Sequence, residues 1–238
     1  TVVGYRYKYE TFWREPLGSL LLREITPALV ERELSAIEGQ KKRLQAFKML
    51  RQILNHAVRS NFLSLNPLNN MYVPKVERYH PEVLSADQVI LLLEHFHGHP
   101  IEPAVLVAVG CGLRRSEIAA LDWGDLKGGQ VVVDDAITTV RGKPHRDLPK
   151  SETSRRLVAV PGFAMSRLDQ IRRSNDLPLV TDTDGGRMNP DNITKAYIRH
   201  MKDAPEGLPY VSLKNLRHTS LTLTYESGVD LLTVSRRA

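Results

Sequence analysis

Three short clusters hold the side chains best suited to grip and transform a phosphate. The first is Gly112-Leu113-Arg114-Arg115-Ser116-Glu117-Ile118, where a glycine ends one helix and an arginine stands at the entry to the next. In the second, Pro149-Lys150-Ser151-Glu152-Thr153-Ser154-Arg155-Arg156, a lysine heads a polar turn that feeds a valine-rich strand. The third, Leu213-Lys214-Asn215-Leu216-Arg217-His218-Thr219, leads to Glu226-Ser227-Gly228-Val229-Asp230. A guanidinium presents forked donors that match two phosphate oxygens and stays charged, while an ammonium donates a hydrogen bond or a proton. Each cluster also has a plainer reading. Arg114 and Glu117 would make a structural ion pair, Lys150 would be an exposed hairpin residue, and Lys214, Arg217 and His218 would form a solvated helix face.

The elements around these clusters divide into two regions. Residues 41–60 read as a helix, with Leu44, Phe47, Leu50, Leu54, Ala57 and Val58 at three- and four-residue spacing on one stripe. Lys48, Arg51 and Arg59 line another face, which is either a solvated helix face or a contact for an anionic partner. Thr26-Pro27 marks the start of an earlier helix. Between residues 66 and 81 the periodicity fades among Pro67, Pro74 and Pro81, as expected of a linker. Ser85 and Gln88 then have the spacing of a capping box. Beyond them, helices are expected near 86–97, 103–110, from 116, 165–174, 190–202, 213–227 and 230–237. Residues 130–134 and 155–160 alternate like strands, and 143–150 forms a further strand or a loop. The whole is mainly α with one small antiparallel β-sheet.

Net charge is +6, which favours anionic partners. The first 83 residues carry 13 Lys+Arg against 8 Asp+Glu, so most of the surplus lies there. No apolar run approaches the ~20 residues of a membrane span, and the first ten residues do not read as a secretory signal. The lone Cys111 excludes an internal disulfide framework and a cysteine-based zinc cluster. Eight histidines occur, but no pair is spaced as a metal site beside carboxylates, so no cofactor is expected.

Taken together and in order, the three clusters resemble the active-site segments of the tyrosine recombinases, the phage-type integrases. Gly112-Leu113-Arg114 with Ser116-Glu117 is similar to that family's first arginine box. Lys150 before Arg155-Arg156 is similar to its hairpin lysine. Lys214-Asn215-Leu216-Arg217-His218 is similar to its His-x-x-Arg box, with Lys214 where histidine is usual. Asn61-Phe62-Leu63, Asn66-Pro67-Leu68 and Pro74-Lys75 resemble the end of the family's helical domain and its linker, so the likeness spans essentially the whole chain.

The resemblance implies a helical core DNA-binding domain at 1–73, a linker at 74–83 and an α+β catalytic domain at 84–238. It implies phosphoryl transfer at a DNA phosphodiester, without metal or nucleotide, through a 3′-phosphotyrosyl intermediate. Arg114, Lys150, Lys214 and Arg217 would be catalytic, with Glu117 and His218 in support. Lys214 would bind phosphate, since a protonated lysine is a poor base. The family's nucleophilic tyrosine is expected beyond Ala238, with Tyr225 read as a packing residue. The implied partner is double-stranded DNA in a prokaryotic cytoplasm, at the nucleoid, with the full-length protein assembling into a synaptic tetramer and no membrane association. A non-catalytic DNA-binding protein derived from an integrase and a type IB topoisomerase remain alternatives; the separate helical region and the Asn-Pro linker favour the integrase.

Overall fold

Ten residues in a row, Glu102–Cys111, are buried on every side, and this helix is the axis on which the site is built. A helix apolar all round belongs inside a protein. The computed structural model describes residues 2–77, 79–140, 143–147 and 155–230. The chain divides into two compact units, Thr1–Tyr79 and His80–Ala238.

The first unit is helical: α1 (Val2–Phe12), α2 (Arg14–Leu17), α3 (Pro27–Ala36) and α4 (Gln40–Arg59). Thr26 caps α3 by accepting the Leu29 N–H at 3.3 Å. Phe47, Leu50, Leu54 and Ala57 of the expected stripe are buried, with Leu44 and Val58 half-buried at its edges. The Trp13 indole is buried and donates to the Ala46 carbonyl at 3.0 Å. The asparagine before Pro67 belongs to this core. Asn66 donates to Arg51 O (3.1 Å) and Asn55 Oδ1 (2.6 Å) and accepts from Leu68 N (2.8 Å). No helix or strand follows α4 directly: turns and bends occupy most of residues 60–71, and residues 72–77 and 79–85 carry neither. On α4, Lys48 and Arg59 are exposed and Arg51 is half-buried.

In the second unit, the Ser85–Gln88 capping box forms as expected and starts α5 (Ala86–His95). Next come α6 (Glu102–Cys111) and α7 (Arg115–Ile118), only four residues long where a fuller helix was expected. The three strands β1 (Leu126–Lys127), β2 (Gln130–Val133) and β5 (Arg156–Ala159) form one antiparallel sheet in the order β1-β2-β5. Val131 stands opposite Val158, and both are buried. A second, two-stranded sheet pairs β3 (Ala136–Val140) with β4 (Lys143–Asp147), so the described residues hold two small sheets where one was expected. The helices α8 (Gly162–Gln170), α9 (Pro190–His200) and α10 (Leu213–Glu226) complete the unit. The helix expected at 230–237 falls almost wholly outside the described residues.

Helices α5, α8 and α10 pack on α6. Gly110 permits the closest approach, because a Cβ there would lie 3.2 Å from that of Ala164 on α8. At the end of α6, Gly112 turns the chain with φ +65° in the left-handed region, which costs a residue with a Cβ about 1–2 kcal/mol. A Cβ at Gly112 would also press on Ser220 Oγ of α10 at 3.3 Å. Gly112→Ala is therefore expected to lower unfolding stability by about 1–2 kcal/mol, read as a shifted urea midpoint at constant slope.

Candidate active site

The turn at Gly112 delivers Arg114 to the position just before α7, where its backbone N–H donates to Glu117 Oε2 at 2.8 Å. The Arg114 guanidinium meets the same carboxylate, Nη1 to Oε1 at 2.9 Å. Packing of α10 on α6 brings in Arg217, whose Nη1 donates to the Gly112 carbonyl and lies 3.9 Å from Glu117 Oε2. Arg156, at the start of β5, closes the group. It forks onto Glu117, with Nη1 to Oε1 at 3.1 Å and Nη2 to Oε2 at 2.9 Å. One buried carboxylate thus gathers three arginines from a helix entry, a strand and a second helix.

The charges answer to this arrangement. Burial alone would push the Glu117 carboxyl up; the Arg156 fork, the Arg114 N–H and both guanidiniums outweigh it and hold it below the usual carboxylate range. Burial, and then the neighbouring Arg114, push Arg217 down, while Glu117 opposes them. An arginine remains charged through such shifts. The Glu117 side chain is 8% exposed, against 12% for Arg217 and 53% for Arg114. Three cations against one anion leave a surplus of positive charge, and Arg114 carries it outward.

That outward face opens on a cleft of about 900 Å³, lined by Arg114, Arg217, Lys214 and His218, with Tyr210, Thr138 and Thr139 on other walls. Lys214 is exposed and His218 half-buried, one and two residues' spacing from the α10 core positions Leu213 and Leu216. Strand β3 is tied to the cleft by Thr139, which donates to Asn189 Oδ1 at 3.0 Å, beside the start of α9. Arg115 also lines the cleft, where it pairs with Asp191 at 2.9 Å and Thr194 at 3.0 Å.

Of the residues singled out in the sequence, Arg114, Glu117, Lys214, Arg217 and His218 therefore come together. Lys150 lies outside the described residues, in the segment between β4 and β5. Lys48, Arg51 and Arg59 belong to the other unit. Tyr225 corrects an expectation: it is 57% exposed, not packed, and it does not line the cleft. Two residues went unassigned in the sequence, Arg156 and Tyr210. A signal for Arg156 was present. The period of two places it on the same face of β5 as the buried Val158, with exposed Leu157 between them. A charged residue on a core face needs a buried counter-ion.

Among the described residues no group of His, Cys, Asp and Glu is arranged to hold a metal ion, and no helix is long and apolar enough to cross a membrane.

No family model matches the chain. Its likenesses to individual proteins converge. It is 26% identical to the tyrosine recombinase XerC-like protein of Caldanaerobacter subterraneus subsp. tengcongensis, over 99% of the chain and 69% of that protein. It is 31% identical to the tyrosine recombinase XerC of Xanthomonas axonopodis pv. citri, over 88% of the chain and 66% of the relative. For XerC of Rhodospirillum centenum the figures are 29%, 81% and 57%. The chain therefore spans between 57% and 69% of the length of these relatives. Among solved structures, the Tn1549 transposon integrase in complex with transposon right end DNA superposes with a TM-score of 0.83 at 16% identity, covering 99% of this chain and 84% of that one. A lambda integrase dimer bound to a COC′ core site gives 0.72 at 16% identity, covering 99% and 86%.

The fold, small sheets set among packed helices, is that of the DNA integrases. The chain belongs to the tyrosine recombinase family, which includes the XerC recombinases and the phage-type integrases.

Proposed function

We propose that the chain is part of a site-specific DNA recombinase that breaks and rejoins duplex DNA through a 3′-phosphotyrosyl intermediate. The observation that carries this reading is the single Glu117 carboxylate that gathers Arg114, Arg156 and Arg217 and holds Arg114 and Arg217 at the wall of one cleft. In this reading Arg114 and Arg217 neutralise the non-bridging oxygens as phosphorus becomes five-coordinate. Preorganised donors of this kind contribute several kcal/mol where water is excluded, at roughly 3–4 kcal/mol each. The tyrosine oxygen, entering as the phenolate after loss of its proton to solvent, bonds to phosphorus; the bond from phosphorus to the 5′-oxygen breaks, and that oxygen takes a proton from Lys150. Attack by a second strand's 5′-hydroxyl reverses the step, so the bond energy is kept and no external energy source is needed. Lys214 adds a phosphate donor, and His218 supports the same anion.

Residues 1–73 and 84–238 act as the core-binding and catalytic parts, with 74–83 as the link. Lys48, Arg51 and Arg59 take DNA phosphates. Lambda integrase has been captured as a tetramer on a Holliday junction; the same assembly on DNA is proposed for this protein, in the cytoplasm and at the nucleoid.

Hydrogen exchange tests the placement. Adding a duplex to the chain should slow exchange at residues 112–118 and 213–218 and along the Lys48–Arg51–Arg59 face of α4. Protection confined to other surfaces would show that DNA lies elsewhere.

A further inference from the structure

Arg156 is 17% exposed and spends its guanidinium on Glu117 alone among the described carboxylates, through two hydrogen bonds at 3.1 and 2.9 Å. It does not line the cleft. Its own charge is therefore not offered to a ligand, yet it is the more strongly enclosed of the two arginines whose side chains hydrogen-bond the carboxylate, 17% exposed against 53% for Arg114. It also stands at the first residue of β5, directly after the segment that contains Lys150. We propose that Arg156 is a positioning residue of the anion site: its fork sets the plane of the Glu117 carboxylate, and through it the guanidiniums of Arg114 and Arg217.

A carboxylate has two oxygens with about four acceptor directions. A bidentate guanidinium occupies a parallel pair of them and fixes the carboxylate's rotation. What remains on Oε1 goes to the Arg114 side chain and on Oε2 to the Arg114 N–H, with Arg217 3.9 Å away. Without the fork, Glu117 is free to turn toward either remaining arginine, and the two cease to present donors in one arrangement. Lysine in place of Arg156 keeps the charge but supplies no planar fork. The inference rests on the reading of the cleft as a phosphate site.

The experiment uses the 238-residue chain and inorganic sulfate, whose charge is constant from weakly acid to neutral pH. Side-chain Nε–H resonances of Arg114 and Arg217, assigned from single Arg→Lys variants, report sulfate binding during a titration. In the parent both resonances should move together. In Arg156→Lys and in Arg156→Gln the sulfate affinity should fall about tenfold, the scale of a lost charge-assisted hydrogen bond. The pH profile supplies a second readout. Against the upward push of burial, Glu117 is held low by Arg156 and Arg114, so its contribution is complete above the ordinary glutamate range and fades only as pH falls through the lower folded value. In Arg156→Lys that acid edge should move up toward the ordinary range. If Arg156→Gln fails to fold, Arg156→Lys alone carries both readouts, with circular dichroism confirming its fold. Full sulfate affinity and an unmoved acid edge in folded Arg156→Lys would overturn the proposal. Sulfate that leaves both resonances of the parent unmoved would overturn the anion-site reading itself, and this inference with it.

Discussion

Raising salt from about 50 to about 200 mM is expected to weaken duplex binding by this chain roughly 10³-fold, the loss that follows from neutralising about six phosphates. Each lysine or arginine that meets a phosphate releases condensed counterions, and that release is worth less as bulk salt rises. The effect is large because it compounds across contacts, whereas any single exposed ion pair contributes about 1 kcal/mol or less. Replacing Lys48, Arg51 and Arg59 together with alanine should reduce the slope of log affinity against log salt by about 3, at about 0.9 per phosphate contact. Exposed Lys48 and Arg59 should account for more of that change than half-buried Arg51. Fluorescence anisotropy of a labelled duplex at four salt concentrations measures both quantities. A flat dependence would remove the basis for reading α4 as a DNA-facing helix.

The second large effect falls on chemistry. In a protein carrying the nucleophilic tyrosine, Arg217→Ala should slow strand cleavage by at least roughly 10²–10³-fold, the cost of deleting one preorganised donor to a developing oxyanion. Arg114→Ala should do the same. Neither change should unfold the protein, because Glu117 keeps the Arg156 fork after either one. Folding and cleavage are therefore separable at this site. Lys214→His, by contrast, should leave cleavage within a few-fold of its starting rate, since imidazole also donates to phosphate. Single-turnover cleavage rates, with thermal unfolding in parallel, decide the matter; normal cleavage by either alanine variant would make that arginine structural.

What the sequence reveals about this fold depends on how local each signal is. Thr26-Pro27, the Ser85–Gln88 pair and the stripe from Leu44 to Val58 act within a few residues of themselves, and their helices form where expected. Helix α1 escaped notice because it buries none of its residues, so it carries no clear apolar stripe to read. Strand β3 escaped, and β4 was legible only as a strand or a loop within residues 143–150, for a related reason. Their five-residue pairing mixes Thr138, Thr139, Pro144, His145 and Arg146 rather than alternating apolar and polar, and only the partner strand reveals it. The site divides in the same way. Arg114, Glu117 and Arg217 sit in compact motifs whose spacing is legible along the chain. Arg156 acquires its meaning from a carboxylate 39 positions away, and Tyr210 from the shape of the cleft. Contacts of that range are written in the packing of α10 on α6 and the pairing of β5 with β2, not in any window of sequence.

Strand exchange through a 3′-phosphotyrosyl bond at the Arg114–Arg217 cleft should leave the protein covalently trapped on a suitable DNA. A library of nicked duplexes, in which cleavage lets a short fragment diffuse away, is incubated with protein carrying the tyrosine, in the presence of a metal chelator. The expected products are a protein–DNA adduct that survives denaturation and a released strand with a free 5′-hydroxyl that polynucleotide kinase labels directly, with no adduct from Arg217→Ala. An adduct joined through the 5′ end, a requirement for divalent metal, or undiminished trapping by Arg217→Ala would contradict it.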